Sequence, residues 1–274
     1  MLGAAWQRKR ANGQQHIEGE LPQHYAEAAR TDRFSAGGPV TRINRLGSNH
    51  LLSLLPRDDR EHVLGRCEKL SMEVGRVLYE AGEPIAHVYF PLSGMISMVL
   101  GASDGATIEV GVVGNEGLLG ASIALGSERS HVKALIQVAG EFLRMTAQDF
   151  RAEAKRSTAL TGLAQRFAQS LMVQVSQSVM CNRLHSMEER ICRWLLMAHD
   201  RAGVDEIGLT QQFISEMLGV RRPSVTVAAG ILQKAGLIRY SRSKVTVLDR
   251  AGLEESACEC YALVNRELEA LMRR

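Results

Sequence analysis

The sequence predicts an α+β chain built in series: an antiparallel β-roll, then one long helix, then a small helical unit that ends in a β-hairpin. Three observations carry this. Short β-rich runs split by Gly and Asn fill residues 70–145. From Thr146 to Arg201 glycine and proline almost vanish, and apolar residues recur every three or four. Then "LTQQFISEMLGVRRPSVTVAAGILQKAGLI" holds two helical patterns around a glycine.

Residues 1–45 are rich in Gly, Gln, Ala and Arg without periodicity and read as a flexible extension. Their basic start has no apolar core after it, so no secretory signal is expected. A β-roll with flanking helices is expected over 46–156. "NHLLSLLPRDDREHVLGRCEKL" reads as two short helices split by Pro56. "HVYFPLSG" and "MISMVL" are strands, and "SDGAT" is a hairpin turn before "IEVGVVGNEG". "HVKALIQVAGEFLRM" completes the roll, and Thr146 caps the helix after it.

The long helix is expected over 157–184. Leu160, Leu163, Phe167, Leu171, Gln174 and Ser178 lie on one stripe in steps of three or four. Such a stripe packs on its own domain or forms a two-chain seam. The expectation is the seam, with Gln174 and Ser178 setting register. "SMEERICRWLLMAHDRAG" is a further amphipathic helix closed by Gly203.

Residues 185–274 hold the candidate site. Thr210 caps a helix whose apolar face is Phe213, Ile214, Met217 and Leu218, and Gly219 turns the corner. A proline inside a helix costs about 3 kcal/mol, but in the first turn it removes no hydrogen bond. Pro223 therefore marks the start of the second helix, and Gly236 ends it. Val225, Ala228, Ile231 and Leu232 are expected to face the joint. This is helix-turn-helix spacing, with Arg221, Arg222, Ser224 and Thr226 at the end that meets bases and phosphates. Thr210 and Gln211 flank it. "IRYSRSKVTVLD" reads as a hairpin wing, with Arg239, Arg242 and Lys244 at or near its tip, laid along phosphates. Asp249 starts a final helix.

The chain resembles the Crp/Fnr superfamily of bacterial transcription regulators over about residues 49–250. The resemblance rests on "VYFPLSGMIS", "VGNEGLLGAS", the long helix and "LTQQFISEMLGVRRPSVT". It implies a cyclic-nucleotide-binding-like β-roll, a dimerisation helix and a C-terminal winged helix. Cyclic-AMP-binding members hold the nucleotide with Gly-Glu followed by Arg-Ser or Arg-Thr. Here Gly120 is in place but Ala121 stands where the Glu should be; Arg129 and Ser130 could match the later pair across a shortened loop, with a solvated loop residue the preferred reading of Arg129. That cassette is the candidate effector pocket; without the carboxylate, control by cyclic AMP is not expected, and the effector is unknown. Pro223 and Val227 stand where relatives that read the common half-site carry Glu and Arg, so a different target sequence is expected.

Other chemistries find little support. The five cysteines (67, 181, 192, 258 and 260) form no disulfide framework and fit a reducing cytoplasm. Nothing like the oxygen-sensing branch's N-terminal cysteine cluster precedes Cys67. Cys258 and Cys260, two apart on an expected helix, would point to different faces and hold no shared metal. The eight histidines include no His-x-His pair, so no metal enzyme, and no enzyme at all, is expected. No apolar run is long enough for a membrane helix. A net charge of +3 permits nucleic acid without arguing for it. The expected partners are double-stranded DNA, a second copy of the chain bound with it on a palindromic site, and RNA polymerase. The alternative is a ligand-binding signalling module acting through protein contacts, which the basic wing disfavours.

Overall fold

The computed structural model describes residues 47–103, 105–241 and 243–273. The predicted extension over 1–45 lies outside them. Pro56 divides α1 (His50–Ser53) from α2 (Arg57–Gly65), and the Asn49 side chain accepts from Leu52 N to cap α1.

The roll has two antiparallel sheets. In one, β7 (Gly140–Thr146) lies between β1 (Glu68–Met72) and β3 (His87–Pro91). In the other, β2 (Val77–Tyr79), β6 (Lys133–Val138), β4 (Met95–Gly101) and β5 (Thr107–Val113) follow in that order. The predicted hairpin pairs β4 with β5, Ile96 opposite Val113 and Leu100 opposite Ile108.

"MISMVL" is apolar without alternation because this sheet is covered on both faces. Ile96, Met98 and Val113 join the roll core with Phe90, Ile136 and Phe142. Met95, Val99 and Val112 point the other way, into a second core with Trp194, Leu195 and Met217. The strand period of two thus deals alternate residues to two cores.

After α3 (Ala147–Arg156), capped by Thr146 as expected, comes α4 (Thr158–Leu184), with Ser157 accepting from Leu160 N. The predicted seam is not free for a second chain. Leu160, Leu163 and Phe167 are buried in the roll core, and Leu171 packs against it half-buried. Gln174 Oε1 accepts from Val112 N at 2.6 Å, which pairs the buried side chain with β5. Ser178 donates to Gln174 O and accepts from Arg193. An apolar stripe demands a partner surface, and the chain's own roll supplies it.

α5 (Met187–Ala202) opens with a capping box of Ser186 and Glu189 and closes at Gly203. The C-terminal unit adds β8 (Glu206–Gly208), α6 (Gln211–Leu218), α7 (Arg222–Lys234), β9 (Ile238–Ser241) and β10 (Lys244–Val247). The single final helix expected from Asp249 is two: α8 (Arg250–Ser256) and α9 (Cys260–Met272), broken at 257–259. α9 lies along α4, and its Leu268 and Met272 reach the roll core. No helix among the described residues is long and apolar enough to cross a membrane.

Candidate nucleic-acid interface

α6 and α7 meet at a corner that the backbone specifies. Thr210 Oγ1 accepts from Phe213 N at 3.0 Å and starts α6. At its end Gly219 takes φ +63°, Gly219 N donates to Glu216 O, and Val220 N donates to Ser215 O. These paired bonds close the helix and turn the chain sharply. Arg190 of α5 donates to the orphan carbonyl of Leu218 at 2.7 Å. Ile214, Met217, Leu218, Val225, Ala228 and Leu232 fill the joint. Ser215 is buried there, its hydroxyl donating to Gln212 O. α7 begins at Arg222 with Pro223 in its first turn, one residue earlier than the reading that started it on the proline.

The outer face of α7 shows Arg221, Arg222, Ser224 and Thr226 to solvent, beside a helix start that no side chain caps. Thr226 donates to Gln211 Oε1 at 2.8 Å, so two predicted contact residues already touch. Ile231, expected in the joint, is exposed together with Val227. α7 turns the 228/232 row inward, and the 227/231 row falls on the solvent side.

The wing is three-stranded, with β10 between β8 and β9. Tyr240 ties it back by donating to Leu209 O at 2.9 Å. Arg239 is exposed, and Arg242 lies outside the described residues. Lys244 is exposed and ion-paired with Glu206. Sequence reasoning missed Glu206, Arg190 and β8, because all three act across long separations.

The start of α7 faces the roll. Gly105 to Thr107 of the β4–β5 turn stand across one open cleft from Gln212, Glu216, Arg221, Arg222 and Pro223. Ile108 lies against Gly219. Beneath this contact Ser97 of β4 meets Gln137 Oε1, the Glu109 carboxylate and Met217 of α6, while Trp194 Nε1 donates to Glu109 Oε1 at 2.9 Å.

Burial pushes the Glu109 carboxyl up to about 7, against the pull of hydrogen bonds from Ser97 and Trp194. The unfolded chain loses this proton in the ordinary carboxylate range. The associated stability is therefore complete below that range and lost as pH rises through about 7. Glu109→Gln keeps a neutral side chain and is expected to flatten the fall in melting temperature between the carboxylate range and neutrality. Thermal unfolding across that range checks this, and an unchanged slope would mean that Glu109 is solvated.

The predicted effector cassette is a packed turn. Gly120 at φ +102° precedes a short 3-10 turn (Ala121–Leu125), and a Cβ on it would stand 2.9 Å from Tyr79 Oη. Ala121 is buried in the roll core. Arg129 is exposed and donates to Gly82 O at 2.7 Å, while the buried Ser130 donates to Val132 O.

The cysteines depart from expectation. Cys258 lies in the break before α9 and Cys260 opens α9, so both thiols turn toward Cys181 near the end of α4.

A β-roll joined through a long helix to a two-helix corner with a wing defines a helix-turn-helix regulator of DNA. A cyclic nucleotide-binding domain is matched over residues 69–157, and a Crp-like helix-turn-helix domain over 189–256. The global nitrogen regulator of Synechococcus elongatus is 25% identical over 194 residues, 67% of this chain and 86% of that one. FixK2 from Bradyrhizobium japonicum superposes with a TM-score of 0.60 at 15% identity, over 70% of this chain and 98% of that one. A Crp/Fnr family regulator from Eubacterium rectale gives 0.59 at 18% identity, over 75% and 96%. The chain belongs to the Crp/Fnr superfamily and is a DNA-binding transcription regulator.

Proposed function

We infer that the chain works in the cytoplasm as a homodimer on an inverted-repeat site, without catalysis and without cyclic AMP as its signal. RNA polymerase is its further partner. The observation that carries the DNA reading is the exposed basic start of α7, held on a rigid corner and left without a side-chain cap. Arg221 and Arg222 reach guanine edges or phosphates there, and helix N–H groups favour phosphate. Val227 and Ile231, exposed on the same side, suit thymine methyls. Ala121 buried where a ribose-binding carboxylate would stand, and Arg129 tied to Gly82, support an effector other than cyclic AMP.

Arg222→Ala is expected to cost about 1–3 kcal/mol on the specific site and to relax one base position per half-site. Lys244→Ala should weaken cognate and scrambled duplex about equally and lower the salt slope by roughly one. Titrating both variants on both duplexes at several salt concentrations is the test. Equal losses for Arg222→Ala on the two duplexes would make it a phosphate anchor only.

The dimer needs a face that the roll leaves free. Met172 and Val179 on α4 are 62% and 68% exposed, one heptad apart. Met172→Glu with Val179→Glu is expected to sediment as a folded monomer. If it stays dimeric, the seam lies on another element.

A further inference from the structure

Four ligand-type side chains from two distant segments meet where α4 gives way to α5. Cys181 is one turn before His185, the residue that ends α4, while Cys258 and Cys260 come from the break before α9 and its first position. Cys181 Sγ stands 3.5 Å from Cys258 Sγ, and Cys260 Sγ stands 3.6 Å from His185 Nδ1. All four ligand atoms lie within 4.8 Å of one another. A tetrahedral zinc ion, with bonds of about 2.3 Å to sulfur and about 2.0–2.1 Å to nitrogen, sets its ligand atoms roughly 3.5–3.8 Å apart. These two pairs already have that spacing, and small rotamer changes bring all four atoms to it. An iron–sulfur cluster places at least two irons and their bridging sulfides among its cysteines, which spreads the four ligands more widely.

Three further features fit an ion. The thiols are not filler in a larger core: Cys181, Cys258 and Cys260 are 1%, 3% and 0% exposed, yet form a group of their own with Met180. His185 turns its other ring nitrogen, Nε2, to Glu259 Oε1 at 3.3 Å, the arrangement that orients a metal-bound imidazole. Arg190 and Arg193 are buried close enough for their charges to act on Cys181. Three thiolates and an imidazole around a dication leave one excess negative charge, which these guanidiniums offset.

We propose that Cys181, His185, Cys258 and Cys260 form a mononuclear tetrahedral site for a thiophilic divalent cation of the zinc class. Binding expels thiol protons to solvent and clamps the end of α4 to the start of α9. The clamp sits at the α4–α5 joint, and Arg190 carries the connection to the helix-turn-helix corner at Leu218. Metal occupancy therefore bears on how the DNA-reading unit is held.

The test is a Co²⁺ titration of the reduced, metal-stripped full chain, followed in the absorption spectrum. One equivalent per chain is expected, with a thiolate-to-cobalt charge-transfer band, intense tetrahedral visible bands, and displacement by Zn²⁺. Cys258→Ser and Cys260→Ser should each abolish the tetrahedral spectrum. Glu259→Gln should weaken binding about 10–100-fold while keeping the spectrum. Cys67→Ser, outside the group, should change nothing. The proposal is overturned if the unaltered chain takes up no stoichiometric Co²⁺, or if the spectrum survives both serine variants. An iron–sulfur chromophore, or a Cys181–Cys258 disulfide in place of uptake, would overturn it as well. Because the titration of the unaltered chain involves no substitution and no DNA, neither a misfolded variant nor a failed DNA assay alters its outcome.

Discussion

Glu116→Ala is expected to destabilise the chain by about 3–5 kcal/mol, the usual loss when one partner of a buried ion pair is removed. Glu116 sits in the "VGNEG" loop of the roll, and Arg201 in the last turn of α5, both buried. Arg201 donates to Glu116 Oε1 from Nε at 3.0 Å and from Nη2 at 2.7 Å, while Nη1 donates to Met197 O. The same carboxylate accepts from Gly114 N at 3.0 Å. Removing it strands a guanidinium between the roll and the DNA-reading unit. Chemical denaturation of the variant measures the cost. Glu116→Leu combined with Arg201→Met should recover most of it, since a well-packed apolar pair substitutes for buried charges at little net cost. A loss under about 1 kcal/mol for the single variant would mean that water reaches the pair.

Phe167→Ala is expected to cost about 3–5 kcal/mol, from lost burial and the cavity left behind. The ring is 1% exposed and lies on Gly117, where an added Cβ would stand 2.0 Å from Phe167 Cε2. Gly117→Ala should therefore drive the ring out of the roll and give a comparable loss. The measurement also separates core from seam. A core phenylalanine leaves the sedimentation behaviour unchanged and gives a denaturation cost independent of protein concentration. A seam phenylalanine makes the cost rise on dilution.

How much was legible follows from how far apart the interacting residues stand. The helix starts at Thr146 and Thr210 and the corner at Gly219 are legible in the sequence, because a cap or a left-handed turn involves residues within one turn. The β4–β5 hairpin was legible for the same reason, through its turn residues and flanking apolar runs. The break at 257–259 leaves no local mark, since "SACECYALV" keeps apolar spacing through it and carries no Gly or Pro.

The sequence by itself determined the order of the elements, the helix-turn-helix and the basic start of its second helix, because each is written in periods, caps and turn residues a few positions apart. Only the tertiary structure decided which surface the α4 stripe covers. A stripe states that a face is apolar and not what it meets, and Leu160, Leu163 and Phe167 meet the roll. It likewise decided that Ile231 faces outward, that Glu109 and Glu116 hold the DNA-reading unit against the roll, and that Cys181 and Cys258, 77 residues apart, bring their sulfurs to 3.5 Å. Contacts at such separations depend on how whole elements are arranged around two cores, and no local pattern encodes that arrangement.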